Sequence, residues 1–319
     1  MFGRSSRLRH GWFAALAVAT LLAPAAAQQG AAAAAPSWRV VDLGAGDDSS
    51  ATAINQYGHI AGDSGDGAFL WRHGKITILG TLGGGYSHAT DVNNRDKVVG
   101  YSSTGSDGDH AFLWRDGSMI DLGMLPGGDN SYAMAINDLG DVVGYSGTAS
   151  GELHAFRWRD GVLTDLGGPG GYSLAYDVNN LGQVVGARGD VAVRWWRGQT
   201  LSLTSEPATA MAVNARGDVT GHYWPGGDLP SFLWRKGRLT VLAPPAGFTV
   251  FQTYGINDAD QAVGYSEYYA LVWQHGRFTR LPRLVSTSGA NDINNDGQIV
   301  GFSAVNPDGL NYHAVLWTR

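Results

Sequence analysis

The sequence predicts an all-β protein: a seven-bladed β-propeller of four-stranded antiparallel blades, its ring closed by an N-terminal strand that completes the C-terminal blade. Three observations carry this expectation. A short pattern recurs seven times at a spacing of about forty residues, the length of four short strands in one blade. The segments between turn signals are short and rich in branched or aromatic residues, and helix-favouring runs are absent after the first 35 residues. The last repeat stops before a fourth strand, and the N-terminal region has a fourth strand with no repeat before it.

The repeat is anchored on Asn55, Asn93, Asn137, Asn179, Asn214, Asn257 and Asn294, each preceded by Ile or Val. Seven residues after each comes a glycine: Gly62, Gly100, Gly144, Gly186, Gly221, Gly264 and Gly301. An apolar strand then ends in Trp71, Trp114, Trp158, Trp195, Trp234, Trp273 or Trp317. Four strands follow from this order. Strand a is small and apolar, as in Ala133 to Ile136, which suits seven copies crowding an axis. The asparagine caps the a–b turn, and a glycine takes the positive φ at its end. Strand b is Val142 to Tyr145, strand c is His154 to Trp158, and a Trp-Arg-x-Gly turn leads to strand d, Leu163 to Leu166. Trp38 to Gly44 reads as a strand d. Pairing it with the seventh repeat hides two sheet edges, whereas an open solenoid would want polar capping repeats.

The N-terminus reads as an export signal. Arg4, Arg7, Arg9 and His10 precede an apolar run of about a dozen residues, Trp12 to Ala23, too short to span a bilayer comfortably. Ala25 to Ala27 form a small-residue cleavage site. The expected organisation is a signal peptide at 1–27, an alanine-rich linker at 28–37 and the propeller at 38–319. The mature protein is expected in the periplasm or outside the cell, as a monomer with no membrane insertion after cleavage.

Composition narrows the functional classes. A net charge of −6 argues against nucleic acid, which needs a basic stripe to displace counterions. The absence of cysteine excludes disulfides, thiol nucleophiles and zinc fingers. Gly-rich segments such as Leu82 to Gly85 lack the Lys-Ser/Thr of a phosphate loop, no Gly-x-Ser-x-Gly elbow occurs, and no cofactor is implied.

Loop lengths mark the working face. The Asn-to-Gly interval is constant, and so is the Trp-to-Gly interval wherever both residues exist. The b–c intervals run 9, 14, 14, 9, 13, 9 and 16 residues, and the d–a intervals vary from 16 to 20. The face carrying these two kinds of loop is therefore the expected recognition surface. It is also acidic, with Glu152, Glu206, Glu267 and aspartates that include Asp107, Asp109, Asp129, Asp228 and Asp308. The three lysines, Lys75, Lys97 and Lys236, and most arginines after the tryptophans fall on the other side. Such a face suits an unknown protein, peptide or glycan. Candidate ligand contacts are Asp107, Asp109, Glu152, Trp224, Asp228, Glu267 and Tyr268. The repeated Trp and Phe are expected to pack blade against blade. Asp292, Asn294 and Asp296 match the start of a calcium loop, but its twelfth position is Ser303 and the stretch coincides with the repeated turn.

His110-Ala111-Phe112-Leu113-Trp114 with Asp121-Leu122-Gly123 resembles the HAF repeat, a probable extracellular repeat named for its His-Ala-Phe. His154-Ala155-Phe156 with Asp165-Leu166-Gly167 and His313-Ala314-Val315 match it too. Gly67, Val191, Pro230 and Tyr269 stand at the histidine position in the other four repeats. The resemblance implies export and repeat architecture and brings no activity with it. The expected function is a non-catalytic binding or scaffold module. The alternative is a carbohydrate-binding or carbohydrate-active propeller, with Glu152 and Glu267 as its acid–base pair.

Overall fold

In the computed structural model of the chain, residues 37–105, 108–168, 170–223 and 230–319 are described below. The signal peptide at 1–27, linker residues 28–36, and Asp107, Trp224 and Asp228 lie outside these described residues. Among them no helix is long and apolar enough to cross a membrane. The all-β expectation holds. Five sheets have four strands each, and a sixth has seven.

The third repeat is representative. Strand a (Ser131–Ile136), b (Val142–Gly147), c (Leu153–Arg159) and d (Val162–Asp165) pair antiparallel in chain order. Burial falls outward: strand b is almost wholly buried, and strand d is exposed at three of its four positions. The seven-stranded sheet arises where the interval from turn glycine to asparagine is shortest, from Gly198 to Asn214. With little chain to make a loop, strand d of repeat four runs straight into strand a of repeat five as one strand, Gln199–Val213. In the sheet of the seventh repeat, Arg39–Asp42 lies antiparallel to Tyr312–Thr318, with Arg39 opposite Thr318 and Asp42 opposite Val315.

The c–d turns are two-residue hairpins. Both central residues take positive φ, as at Asp116 and Gly117 (51° and 80°) or Asp160 and Gly161 (49° and 88°). This geometry matches the twist of the flanking strands. In the a–b turns, Asn137 Oδ1 accepts the N–H groups of Leu139 and Asp141 at 3.0 and 2.9 Å, the expected cap. In two repeats Asp96 and Asp260 replace the turn glycine at φ 56° and 63°.

The glycine seven residues after each asparagine has a different cause. Strand a carries a β-bulge in every repeat, between Ala133 and Ala135 in the third. The bulge drives the Tyr132 carbonyl toward Gly144, where a Cβ would sit deep inside the contact distance of that oxygen. The same overlap with a strand a carbonyl recurs at Gly62, Gly100, Gly186, Gly221, Gly264 and Gly301.

The core lies between repeats. Phe112 and Trp114 of the second pack with Ala61, Ala68 and Leu70 of the first. Phe69, Phe112, Phe156 and Phe232 are completely buried, each worth about 2–3 kcal/mol of apolar transfer. The tryptophans divide. Trp114, Trp195, Trp234 and Trp317 are buried, whereas Trp71, Trp158 and Trp273 keep one side exposed.

Hydroxyl groups tie neighbouring repeats together. Ser87, Ser131, Ser173 and Ser288, at the start of strand a, accept the N–H of Ala68, Ala111, Ala155 and Ala270 in the preceding repeat. The histidine motif has its own bond. His110, His154 and His313 meet Asp121, Asp165 and Asp42 through Nδ1 at 2.8, 2.9 and 2.7 Å. The second oxygen of each aspartate accepts the N–H of Gly123, Gly167 or Gly44. In the four repeats without the histidine, Ile78, Ser202, Val241 and Arg280 stand at the aspartate position. Strand c and the d–a turn are thus clasped where both partners are present.

Candidate functional site

The a–b turns surround a shallow cavity of about 230 Å³ lined by six of the seven turn asparagines, Asn294 being the exception, and by their neighbours. Each asparagine donates an Nδ2 hydrogen bond to the backbone carbonyl of the next: Asn55 to Asn93, then Asn137, Asn179, Asn214, Asn257 and Asn294. Asn294 donates back to Asn55, so the run returns to its start. A second tier lies beside it. Gln56, Asn94, Asp138, Ala215, Asp258 and Asn295 each donate a backbone N–H to the side chain one repeat ahead. Ala215, which has no side-chain acceptor, interrupts this tier after Asn180. Most polar groups at this end are already bonded to protein.

Deeper along strand a, Asp91, Asp177 and Asp292 stand two residues before the asparagine, where the other repeats have Ala53, Ala135, Ala212 and Gly255. Each accepts the N–H of its own following residue and one from the next repeat. Asp177 takes Val178 at 2.6 Å and Val213 at 2.7 Å. Asp91 takes Val92 and Ile136, and Asp292 takes Ile293 and Ile54. Protein surrounds the three carboxyls, although each keeps some contact with solvent. Desolvation pushes Asp177 up to about 7 and Asp292 to about 6, against the lowering effect of the backbone donors. Burial raises Asp91 well above the carboxylate range, with Asp177 and Asp292 adding like-charge repulsion. Among the described residues no group of three His, Cys, Asp or Glu side chains is placed to hold a metal ion.

The loop end is built differently. Between the second and third repeats, Tyr86, Gly108, Asp109, Met124, Gly128, Asp129, Asn130 and Tyr132 line an open depression of about 560 Å³. Asp109 is set between two phenols, with Tyr86 Oη donating to Oδ1 at 2.6 Å and Tyr132 Oη to Oδ2 at 3.5 Å. Aromatic rings continue from here. Ring centroids are separated by 5.6 Å for Tyr86–His88, 5.0 Å for His88–Tyr101, 5.0 Å for Tyr101–Tyr132 and 5.2 Å for Tyr132–Tyr145. The hydrogen bond to Asp63 holds His88 above its ordinary value despite desolvation, and burial pushes Tyr101 up to about 12.

The remaining candidates are dispersed. Glu152, in the b–c loop of the third repeat, accepts the Gly171 N–H at 3.3 Å. Glu267, three repeats away, accepts from the Thr249 N–H and hydroxyl. The structure does not bring the proposed acid–base pair into one site. Tyr268 is exposed and lines a cavity of about 380 Å³ with Tyr269, Arg283 and Asp308. There Arg280 and Arg283 stack on the Tyr269 ring at 3.9 and 4.5 Å. This qualifies the expectation of an acidic loop face, because strand d of the sixth repeat ends at Arg280 and Arg283 follows it. The calcium stretch is also divided. Asp292 is occupied by two N–H groups, Asn294 belongs to the asparagine run, and Asp296 lines a separate cavity with Trp38 and Arg319.

The Asp109 cavity was only half visible in the sequence. Asp109 was flagged by its acidic loop, but Tyr86 and Tyr132 come from different repeats and share no local motif with it. The tyrosine or histidine recurring just after the strand b glycine, as in Tyr101, Tyr145, His222 and Tyr265, marks the neighbouring ring stack and not the cavity itself.

No protein-family model and no curated protein matches the chain. Solved structures do. YCF48 bound to D1 peptide is 16% identical, with 89% of this chain and 96% of that one covered and a TM-score of 0.53. A gluconolactonase from Xanthomonas campestris is 12% identical over 88% of this chain and 89% of that one, with a TM-score of 0.45. The extracellular domain of a hybrid two-component system from B. thetaiotaomicron is 12% identical, covering 83% of this chain and 37% of that one, with a TM-score of 0.49. These likenesses speak to fold alone, and the first carries the argument: the chain has a propeller-type all-β fold.

Proposed function

We propose that this protein is an exported, non-catalytic binding or scaffold propeller. Its seven blades close into a ring through Arg39–Asp42, and its ligand is held on the face of the b–c and d–a loops. The observation that carries this reading is the contrast between the two ends. Side chains at the a–b end are engaged with one another around the whole circle, whereas the loop end has a cavity of about 560 Å³ with a carboxylate presented between two tyrosines. Cavities of this size suit ligand groups. The separation of Glu152 from Glu267 weighs against hydrolysis, which needs two carboxyls roughly 5–10 Å apart.

A peptide is the first ligand class to test, since a propeller of similar fold was solved with a peptide bound. A glycan is the second, with the exposed Tyr268 beside Asp308 as its candidate platform. We assign the chain to the HAF-repeat proteins on the His–Asp clasp, which recurs in each repeat that carries the motif. Export through a signal peptide at 1–27 accords with its basic and apolar segments, and N-terminal sequencing of secreted material should begin at or near Gln28. The purified protein probed on a combined peptide and glycan array tests the binding reading. Ligands retained by the wild type and lost on changing loop-face residues support it. Ligands lost only on changing Lys75, Lys97 and Lys236 would place recognition on the opposite face.

A further inference from the structure

The cavity between the second and third repeats holds a carboxylate with no lysine or arginine against it among the described residues; its nearest cationic group is His88. Asp109 has two neutral phenols as its hydrogen-bond partners, and neither Lys nor Arg forms an ion pair with it among the described residues. The nearby histidine, His88, is paired with Asp63 at 3.4 Å. A carboxylate oxygen can accept two hydrogen bonds, and among the described residues each oxygen of Asp109 has one phenol partner. Asp129 lines the same cavity and is exposed. The walls are the rings of Tyr86 and Tyr132, whose faces attract cations. Gly108 and Gly128 complete the lining.

These features together select one chemistry. A neutral polyhydroxyl ligand would not compensate the charge, and an anion would be repelled by Asp63, Asp109 and Asp129. An ammonium or guanidinium group would donate to Asp109 while lying against a tyrosine face, an arrangement stronger than either contact alone.

We propose that this cavity receives the lysine or arginine side chain of a partner peptide, with Asp109 as the acceptor and Tyr86 and Tyr132 as the aromatic walls. The proposal rests on the loop-face binding reading and deepens it. The protein's negative net charge favours the approach of a basic segment, and the interaction weakens with salt.

The test is fluorescence anisotropy with a labelled, extended peptide bearing lysines and its counterpart with glutamine at the same positions. The lysine peptide should bind the wild type about tenfold more tightly than the glutamine peptide, and Asp109→Asn should remove about that factor. Tyr132→Phe, which keeps the ring and loses the hydroxyl, should weaken binding about threefold. Asp160→Asn removes the same charge on the c–d turn of the opposite face and should leave binding unchanged. Unaltered circular dichroism and melting of Asp109→Asn locate the loss at the site, and Asp129→Asn provides a second variant independent of the Tyr–Asp contacts. Equal binding of the two peptides, or wild-type affinity in both Asp109→Asn and Asp129→Asn, overturns the proposal. So does binding of spermidine at this site with no affinity for the lysine peptide. The binding reading survives such a failure if an array ligand is still lost on changing other loop-face residues.

Discussion

Replacing Asn179 by Asp separates two roles that one side chain performs. Asn179 Oδ1 caps its turn by accepting the N–H groups of Leu181 and Gln183 at 3.0 and 3.1 Å, and a carboxylate accepts both as well. Its Nδ2 donates to Gln183 Oε1 at 2.7 Å and across to the Asn214 carbonyl at 2.9 Å. The variant has no donor for either. Gln183 can turn its amide to donate to the new carboxylate, but the Asn214 carbonyl has no such recourse. One net hydrogen bond is worth about 1 kcal/mol, and leaving a buried acceptor opposed costs roughly 1–3 kcal/mol more. The expected loss is therefore about 2–4 kcal/mol. Equilibrium urea unfolding of the purified protein should read it as a midpoint lowered by about 1 M, at a slope of roughly 3 kcal/mol per M. Asn179→Ala, which loses the cap as well, should fall further. An Asn179→Asp protein as stable as the wild type would refute the reasoning, since the asparagine would then be a turn cap and nothing more.

Three other outcomes are expected. Gly144→Ala should cost more than about 3 kcal/mol by forcing the Tyr132 carbonyl aside. Gly140→Ala, at φ 88° in open space, should cost about 1 kcal/mol, and equal melting temperatures would show that the bulge does not demand glycine. Raised carboxyls make the folded chain bind more protons than the unfolded one. Stability should thus fall as pH climbs from the ordinary carboxylate range through about 7, the position of Asp177. The fall should be shallower in Asp177→Asn, and parallel pH profiles would contradict this assignment. Deleting Trp38 to Gly44 should bare the edge of Tyr312–Thr318 and cause aggregation. A truncated protein that stays monomeric and melts like its parent would argue against closure through that strand.

The repeat was legible because turn chemistry is local. An asparagine cap, a positive-φ glycine and a tryptophan-ended strand can each be recognised within a few residues, and together they fix the period. What the turn asparagine does with its other hydrogens was hidden, since its partner lies 35 residues onward at Asn214. The strand b glycine was visible as a position without its reason, which depends on a bulge in the neighbouring strand. Asp91 and Asp177 were overlooked, and Asp292 was read only as part of a calcium-loop match, for a related cause: an aspartate beside a turn asparagine looks like ordinary turn composition, and only the packing of strand a against the next repeat makes it a buried carboxyl. The loop-face chemistry was legible as charge and not as geometry. Thus Asp109 was named, Tyr86 and Tyr132 were not, and Glu152 and Glu267 were paired although three repeats keep them apart.

The pairing of Arg39–Asp42 with Tyr312–Thr318 has a mechanical consequence. Arg39 lies opposite Thr318, so both chain ends leave the sheet from the same corner. A pull that separates the ends loads the rungs one at a time, beginning at Arg39–Thr318 and moving inward to Asp42–Val315. Peeling of this kind yields at far lower force than shear, in which all rungs resist together. Further grips follow inward: the His313–Asp42 contact at 2.7 Å, the Leu43 N–H to the Ala314 carbonyl at 3.0 Å and the Ser49 N–H to the Tyr312 carbonyl at 2.9 Å. A tether attached at both termini would open this joint like a zip fastener, well before tension reached the hydrogen-bonded turn asparagines.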